Sequence, residues 1–195
     1  MKYLAIIFFI FSCNFANSQS VSLDAEIITF DGDTLNNKIK IWVNIFNKEL
    51  IRENSFYRKL SVINGEGIKK IKTKEISHLS FIDPKGMERK FISDFHMDPI
   101  SSKKGTLYEE HVNGCVNWYT MFSTNTYDQS VVRTDYFWRK DEGEVYSSGP
   151  FGSLKKRIAK FLFEDEESWA QKINAIESID EVKIILENYN VECSR

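Results

Sequence analysis

Over its first half the chain alternates apolar and polar residues, and over its last quarter the apolar residues recur every three to four positions. The first period belongs to half-buried strands and the second to amphipathic helices. Ile27-Ile28-Thr29-Phe30-Asp31-Gly32-Asp33-Thr34-Leu35 followed by Lys38-Ile39-Lys40-Ile41 predicts two strands joined at Asp31-Gly32, since Asp-Gly between alternating runs is a strong hairpin signal. Leu35, Ile39, Ile41 and Val43 share one side of the second strand, with Lys38, Lys40 and Trp42 opposite. Strands at Arg58–Ile63 and Ile68–Lys72 flank Asn64-Gly65-Glu66-Gly67, and strands at Ile76–Ile82 and Glu88–Ser93 flank Asp83-Pro84-Lys85-Gly86. The glycines supply positive φ and Pro84 presets the other turn. Successive hairpins at this spacing predict an antiparallel meander curling into a small barrel or sandwich.

In the centre, Thr106-Leu107-Tyr108-Glu109 matches a capping box and Gly114 a helix-ending glycine, which predicts a short helix over 107–113. Cys115–Phe122 and Val131–Arg139 then read as strands, with a turn at Asp141-Glu142-Gly143 into Val145-Tyr146, making a second, aromatic-rich β unit. Three helices follow. Leu154, Ile158, Phe161 and Leu162 share one face; Asp165 caps a helix carrying Trp169, Ile173 and Ile176; Ser178 to Glu181 opens a third with Val182, Ile185, Leu186 and Tyr189 inward. The expected class is α+β in one domain over residues 19–195, β-rich over 21–147 and helical over 153–190.

Residues 1–18 stand apart from this pattern. Lys2 is a positive n-region, Leu4–Phe11 an apolar run too short to span a bilayer, and Ala16-Asn17-Ser18 a small-residue cleavage site. These predict export, with cleavage after Ser18 and a periplasmic or secreted product. The rival is a lipoprotein acylated at Cys13, but such sites take small residues before the cysteine, and Phe11 is bulky. No later stretch is long and apolar enough for a membrane span.

Composition then narrows the partners. Removing residues 1–18 takes one lysine from the 195-residue chain, leaving 177 residues with 25 basic and 28 acidic side chains, a net charge of −3. Interspersed, near-neutral charge argues against nucleic acid, which demands concentrated positive charge. An envelope protein or a small ligand is the expected partner. Lys69, Lys70, Lys72 and Lys74 read as a solvated strand face that also guards an edge. Only Cys115 and Cys193 remain after cleavage. An exported chain permits a disulfide between them; a buried strand thiol and a loose terminal thiol are the alternative.

The run Ile27–Leu35 with Lys38-Ile39-Lys40 resembles the opening of a family of small exported proteins of Bacteroidota-type bacteria, to which no activity is assigned. Lys70–Ile76, Gly114–Tyr119, Leu154–Phe163 and Tyr189-Asn190 extend the resemblance over most of the mature chain. This chain has Asn37 where the family carries glycine, and Asp165 without the frequent Asp-Cys-Pro, which weakens any disulfide carried over. The resemblance implies export and architecture, and no activity.

Chemistry is sparse. His78, His96 and His111 are the only histidines, with no HExxH or CxxC spacing, so neither a metal nor another cofactor is expected. Asp31-Gly32-Asp33 lacks the further ligands of a calcium loop and reads as a turn. Ser153 lies in no nucleophile elbow and serves as a helix cap, and Glu164–Glu167 suits a helix N-terminus. Cys115 forms a Cys–His pair only if the fold brings His96 or His111 to it. Trp118, Tyr119, Tyr136 and Trp138, with Phe122, Phe137 and Tyr146, form the one dense aromatic group. It is either the core of a one-sided sheet or an exposed platform for sugars, lipids or a partner. The reading that results is an exported, non-catalytic binding or interaction module, against a carbohydrate- or lipid-binding module and a hydrolase assembled only in three dimensions. Gly32→Val is expected to lower the melting temperature by several degrees, because a β-branched residue resists positive φ. A melting temperature equal to the wild type's would contradict the hairpin.

Overall fold

In the computed structural model, the described residues are 19–56, 58–93, 106–128, 130–139, 144–147, 154–163 and 166–194. The export segment with Cys13, His96, Asp141-Glu142-Gly143, Ser153 and Asp165 lie outside them. The strands are β1 (Ser20–Thr29), β2 (Thr34–Trp42), β3 (Lys59–Asn64), β4 (Gly67–Lys72), β5 (Ile76–Ile82) and β6 (Glu88–Ile92). After them come β7 (Tyr108–Val112), β8 (Val116–Thr124), β9 (Val131–Arg139) and β10 (Glu144–Ser147), then helices α1 (Leu154–Leu162), α2 (Glu167–Ala175) and α3 (Ile179–Cys193). The class is α+β.

The turns form for the reasons their residues suggest. Gly32 sits at φ +90°, Gly67 at +131° and Gly86 at +83°, a region costly for residues with a Cβ. At the first turn the Gly32 N–H donates to the Thr29 carbonyl (3.1 Å) and the Thr29 N–H to the Asp33 carbonyl (2.9 Å). At the third, Asp83 Oδ1 accepts from the N–H groups of Lys85 (2.9 Å) and Met87 (3.0 Å), a side chain replacing backbone partners.

All strands belong to one antiparallel sheet of order β10-β9-β8-β7-β6-β5-β1-β2-β3-β4. The meander and the aromatic-rich unit are joined where Phe91 and Ile92 of β6 pair with Glu109 and Tyr108 of β7. The sheet must also curl. β4 lies four places from β5, about 19 Å if flat, yet only Thr73–Glu75 separates Lys72 from Ile76, a reach of about 14 Å. The Thr73 N–H donates to the Arg58 carbonyl and the Phe30 N–H to the Glu75 carbonyl, both at 3.1 Å, pinning this return.

The helix expected over 107–113 is instead strand β7. Seven residues make a marginal helix, whereas flanking strands β6 and β8 offer the backbone partners on both sides. Gly114 is not a helix stop either: it lies outside the positive-φ glycines.

Two apolar clusters occupy the inner face. Ile27, Ile39, Ile41, Leu60, Leu79, Phe81 and Phe91 fill the curl, and Phe56 meets Phe81 and Phe91 edge-on at 6.2 and 4.9 Å. Farther along, Val116, Trp118 and Phe137 pack against Ile158, Phe163, Trp169, Ile173, Val182, Leu186 and Tyr189 of the helical segment. The second and third helical stripes are buried as their spacing predicts, through Trp169, Ile173 and Ile176 and through Val182, Leu186 and Tyr189; α1 buries Ile158, and the side chains of Phe161 and Leu162 lie outside the described ones. Ser178 caps α3 by accepting from the Glu181 N–H. Tyr189 meets Phe163 and Trp169 edge-on at 4.9 and 5.5 Å.

One clamp ties the helices to the sheet. Asn190 of α3 accepts from the Val116 N–H through Oδ1 and donates to the Val116 carbonyl through Nδ2, each at 2.8 Å. Its amide thus completes the backbone bonding at the start of β8 as another strand would. Beside it Cys115 is disulfide-bonded to Cys193, across 78 residues of chain; closing a loop of that size contributes about 4 kcal/mol in the chain-entropy view. Gly114 is required by this arrangement, because a Cβ there would lie 2.3 Å from Asn190 Cγ and Nδ2. Gly114→Ala should therefore destabilise the fold by about 1–3 kcal/mol. Much of that loss should vanish in an Asn190→Ala background, as read by urea denaturation; additive losses would show that the two positions do not meet.

Candidate functional site

Between the two inner-face clusters runs a row of polar side chains. Phe91 pairs with Glu109, Glu109 with Thr120, and Thr120 with Asp135, so these four stand in line across β6 to β9. Arg89 and Arg133 lie two residues from Phe91 and Asp135 and share that face. A register shift between Glu110 and Val112 bulges β7 and lets His111 and Val112 both serve the inner face.

The charges in the row are largely matched internally. Arg89 bonds Glu109 with Nε to Oε1 and with Nη2 to Oε2 at 2.7 Å, a two-pronged pair in which Glu109 is buried and Arg89 partly so. Its Nη1 lies 3.7 Å from Asp83 Oδ2. Burial works against the Arg89 charge, but the bond and attraction of Glu109, with Glu53 and Asp83, outweigh it and raise its pKa. Asp135 Oδ1 accepts from Thr120 Oγ1 (2.6 Å), Trp118 Nε1 (3.1 Å) and Arg133 Nε and Nη2 (3.1 and 3.0 Å).

His111 completes the row. Its Nε2 lies 2.8 Å from Thr120 Oγ1, and its ring centroid lies 4.4 Å from that of Trp118. Thr120 has one proton and gives it to Asp135, so Oγ1 accepts and Nε2 is assigned the hydrogen. Burial lowers the His111 pKa to about 4, with Glu109 and Asp135 opposing and Arg133 and Arg89 assisting. The imidazole is neutral at neutral pH.

Thr120, His111 and Asp135 have the residue types of a nucleophile, a base and an orienting acid, but not the direction. The hydroxyl proton points to the carboxylate instead of the imidazole, and Thr120 is wholly buried, so no substrate carbonyl reaches it. What the row does is stitch four strands together at the point where the core changes owner. Among the described residues no cluster of three or more His, Cys, Asp or Glu side chains is placed to hold a metal ion.

The aromatic platform is corrected by burial. Trp118, Tyr119 and Tyr136 are buried and only Trp138 is half-buried. The rings also part company: Trp118 lies parallel to Phe137 at 5.7 Å beneath the helices, while Tyr119 and Tyr136 join Tyr108 in a separate cluster. Adjacent strand residues point to opposite faces, and both faces are occupied. Cys115, bonded to Cys193, is not a nucleophile for His111. His78 is exposed on β5, 3.1 Å from Ser77 Oγ through Nδ1.

Two surface features lie apart from the row. An open groove of about 650 Å³ is lined by Asp24, Glu26, Asn36, Lys38, Ser80 and Glu88, among others. Asp24 and Lys38 are paired at 3.8 Å and well exposed, so its charges are solvated. The second is the loop from Trp42 to Arg52. Trp42, Ile45, Phe46 and Leu50 are 40, 51, 98 and 41% exposed. Their loop is nevertheless tightly bonded. Asn44 Oδ1 accepts from the N–H groups of Phe46 (2.8 Å) and Asn47 (3.3 Å), and Asn47 Oδ1 from that of Glu49 (2.9 Å). The Asn44 N–H donates to the Leu50 carbonyl (2.8 Å) and the Arg52 N–H to the Trp42 carbonyl (2.7 Å), while Val43 bridges Ile51. Sequence reasoning passed over both this loop and the polar row. Their signals were Asn44 and Asn47 flanking Ile45-Phe46, and the carboxylates Glu109 and Asp135 at positions whose alternation with Tyr108 and Tyr136 places them on the opposite face of their strands.

No family model, no curated protein and no solved structure matches this chain.

The buried imidazole makes stability pH-dependent. In the unfolded chain His111 takes a proton near its ordinary pKa of 6.5, in the folded chain only near 4. Protonation thus favours the unfolded state as pH falls through that window. The contribution is absent above it and reaches a loss of up to about 3 kcal/mol below. Wild-type urea midpoints should fall more between neutral pH and about pH 4 than those of His111→Gln; equal falls would contradict the assignment.

Proposed function

We propose that this chain is an exported, non-catalytic interaction module of the cell envelope. The observation that carries the reading is the Trp42–Arg52 loop, which holds Phe46 almost fully in solvent on a backbone pinned by hydrogen bonds. A large apolar side chain held outward this way loses solvation free energy unless something covers it. The reading draws further support from the polar row, whose only hydroxyl and imidazole are committed to each other and to Asp135, and from the export-type segment at residues 1–18. Among the described residues no helix is long and apolar enough to cross a membrane.

Tagged wild-type protein is expected in the envelope fraction of producing cells. Phe46→Ser and Ile45→Ser should move it to the soluble exported fraction without changing its melting temperature. Retention unaffected by both substitutions would overturn the reading, as would a hydrolytic activity lost in His111→Gln.

A further inference from the structure

From the same loop, and resting on the interaction reading above, we infer that its occupant is the surface of a lipid bilayer. Phe46 and Ile45 enter the acyl boundary, and Trp42 sits at headgroup level.

The first argument is where the rest of the chain joins. The Val43 N–H donates to the Gln19 carbonyl at 3.0 Å, and Ser20 pairs with Trp42. Residues 1–18 therefore attach at the base of the apolar loop, and their sequence carries the Leu4–Phe11 run that enters a membrane during export. Cys13 is six residues from Gln19, a reach of about 20 Å when extended. For as long as this segment is attached, before cleavage or through acylation at Cys13, it tethers the loop within that reach of the bilayer.

The second argument is the chemistry of the loop. Three apolar side chains follow a tryptophan, and Lys40 Nζ stands 5.5 Å from the Trp42 ring centroid. Trp beside Lys is the pairing that suits a membrane interface, where the ring takes the boundary and the ammonium reaches the headgroups. The tip is braced by the side chains of Asn44 and Asn47, so the apolar residues need no reordering on insertion. Charge near the tip is mixed, with Lys48 and Arg52 against Glu49 and Glu53. Attachment is accordingly apolar, and anionic lipid is not required.

The test uses the processed protein recovered from producing cells and two kinds of vesicle, phosphatidylcholine alone and phosphatidylethanolamine with phosphatidylglycerol. The expected result is co-sedimentation with both that survives high salt, with a blue shift of tryptophan emission that Trp42→Phe removes. Phe46→Ser should weaken partition by about tenfold or more, with an unchanged melting temperature. Vesicle binding that is absent, abolished by salt, or indifferent to Phe46→Ser overturns the lipid assignment. If the wild type ignores vesicles yet is retained in the envelope fraction, and the Phe46→Ser variant leaves that fraction, the lipid inference fails and the interaction reading stands with a protein partner. If neither vesicle binding nor envelope retention is found, both fail.

Discussion

The side-chain amide of Asn190 is the hinge pin of this structure. The backbone of a sheet bonds its own strands and that of a helix bonds itself, so apolar packing carries much of the contact between them, and apolar packing alone is tolerant of sliding. Two hydrogen bonds from one amide to the backbone of Val116 remove that freedom, because they demand both distance and direction. The neighbouring disulfide closes the chain around the same point, and Gly114 leaves the space in which the amide sits. Three residues around the start of β8 and two near the end of α3 thereby set the face against which Trp169, Leu186 and Tyr189 pack.

The polar row is the second constraint. Buried charge is costly unless paired and bonded; Arg89 pairs with Glu109 of the next strand and with Asp83 of the β5–β6 turn, and Asp135 takes Thr120 from the next strand and Arg133 from its own. The row falls where the curled half of the sheet gives way to the helix-covered half. Apolar residues there would permit slippage between β7 and its neighbours, since packing alone does not distinguish registers as directional bonds do. The same completeness leaves the row without an accessible nucleophile, and directs functional attention to the surface that is ordered yet uncovered, the Trp42–Arg52 loop.

Much of the local structure was legible in the chain. Period-2 alternation located β1 and β2, three turns were marked by glycines that do take positive φ, and Ser178 with Glu181 marked the start of α3. These are decided by neighbours in sequence. The errors came where distant partners decide. Residues 107–113 carry a helix-start signature, yet the edges of β6 and β8 were waiting for a strand. The aromatic group was read first as a core, with an exposed platform as the alternative, because alternation assigns a residue to a face and is silent about what covers that face. Glu109 and Asp135 looked like ordinary charges until Arg89, Thr120 and Trp118 were placed beside them.

By itself, then, the sequence determined the elements other than β7, three of their turns and the α+β class, since backbone preferences and short-range periodicity are written in consecutive residues. Only the tertiary structure decided that the two β units are one sheet, that Trp118, Tyr119, Tyr136 and Phe137 are buried, that Cys115 meets Cys193, and that Phe46 is left in solvent. Each of those depends on side chains tens of residues apart converging on one place. Convergence is a property of the packed chain, set by burial and by directional bonds that no local pattern encodes.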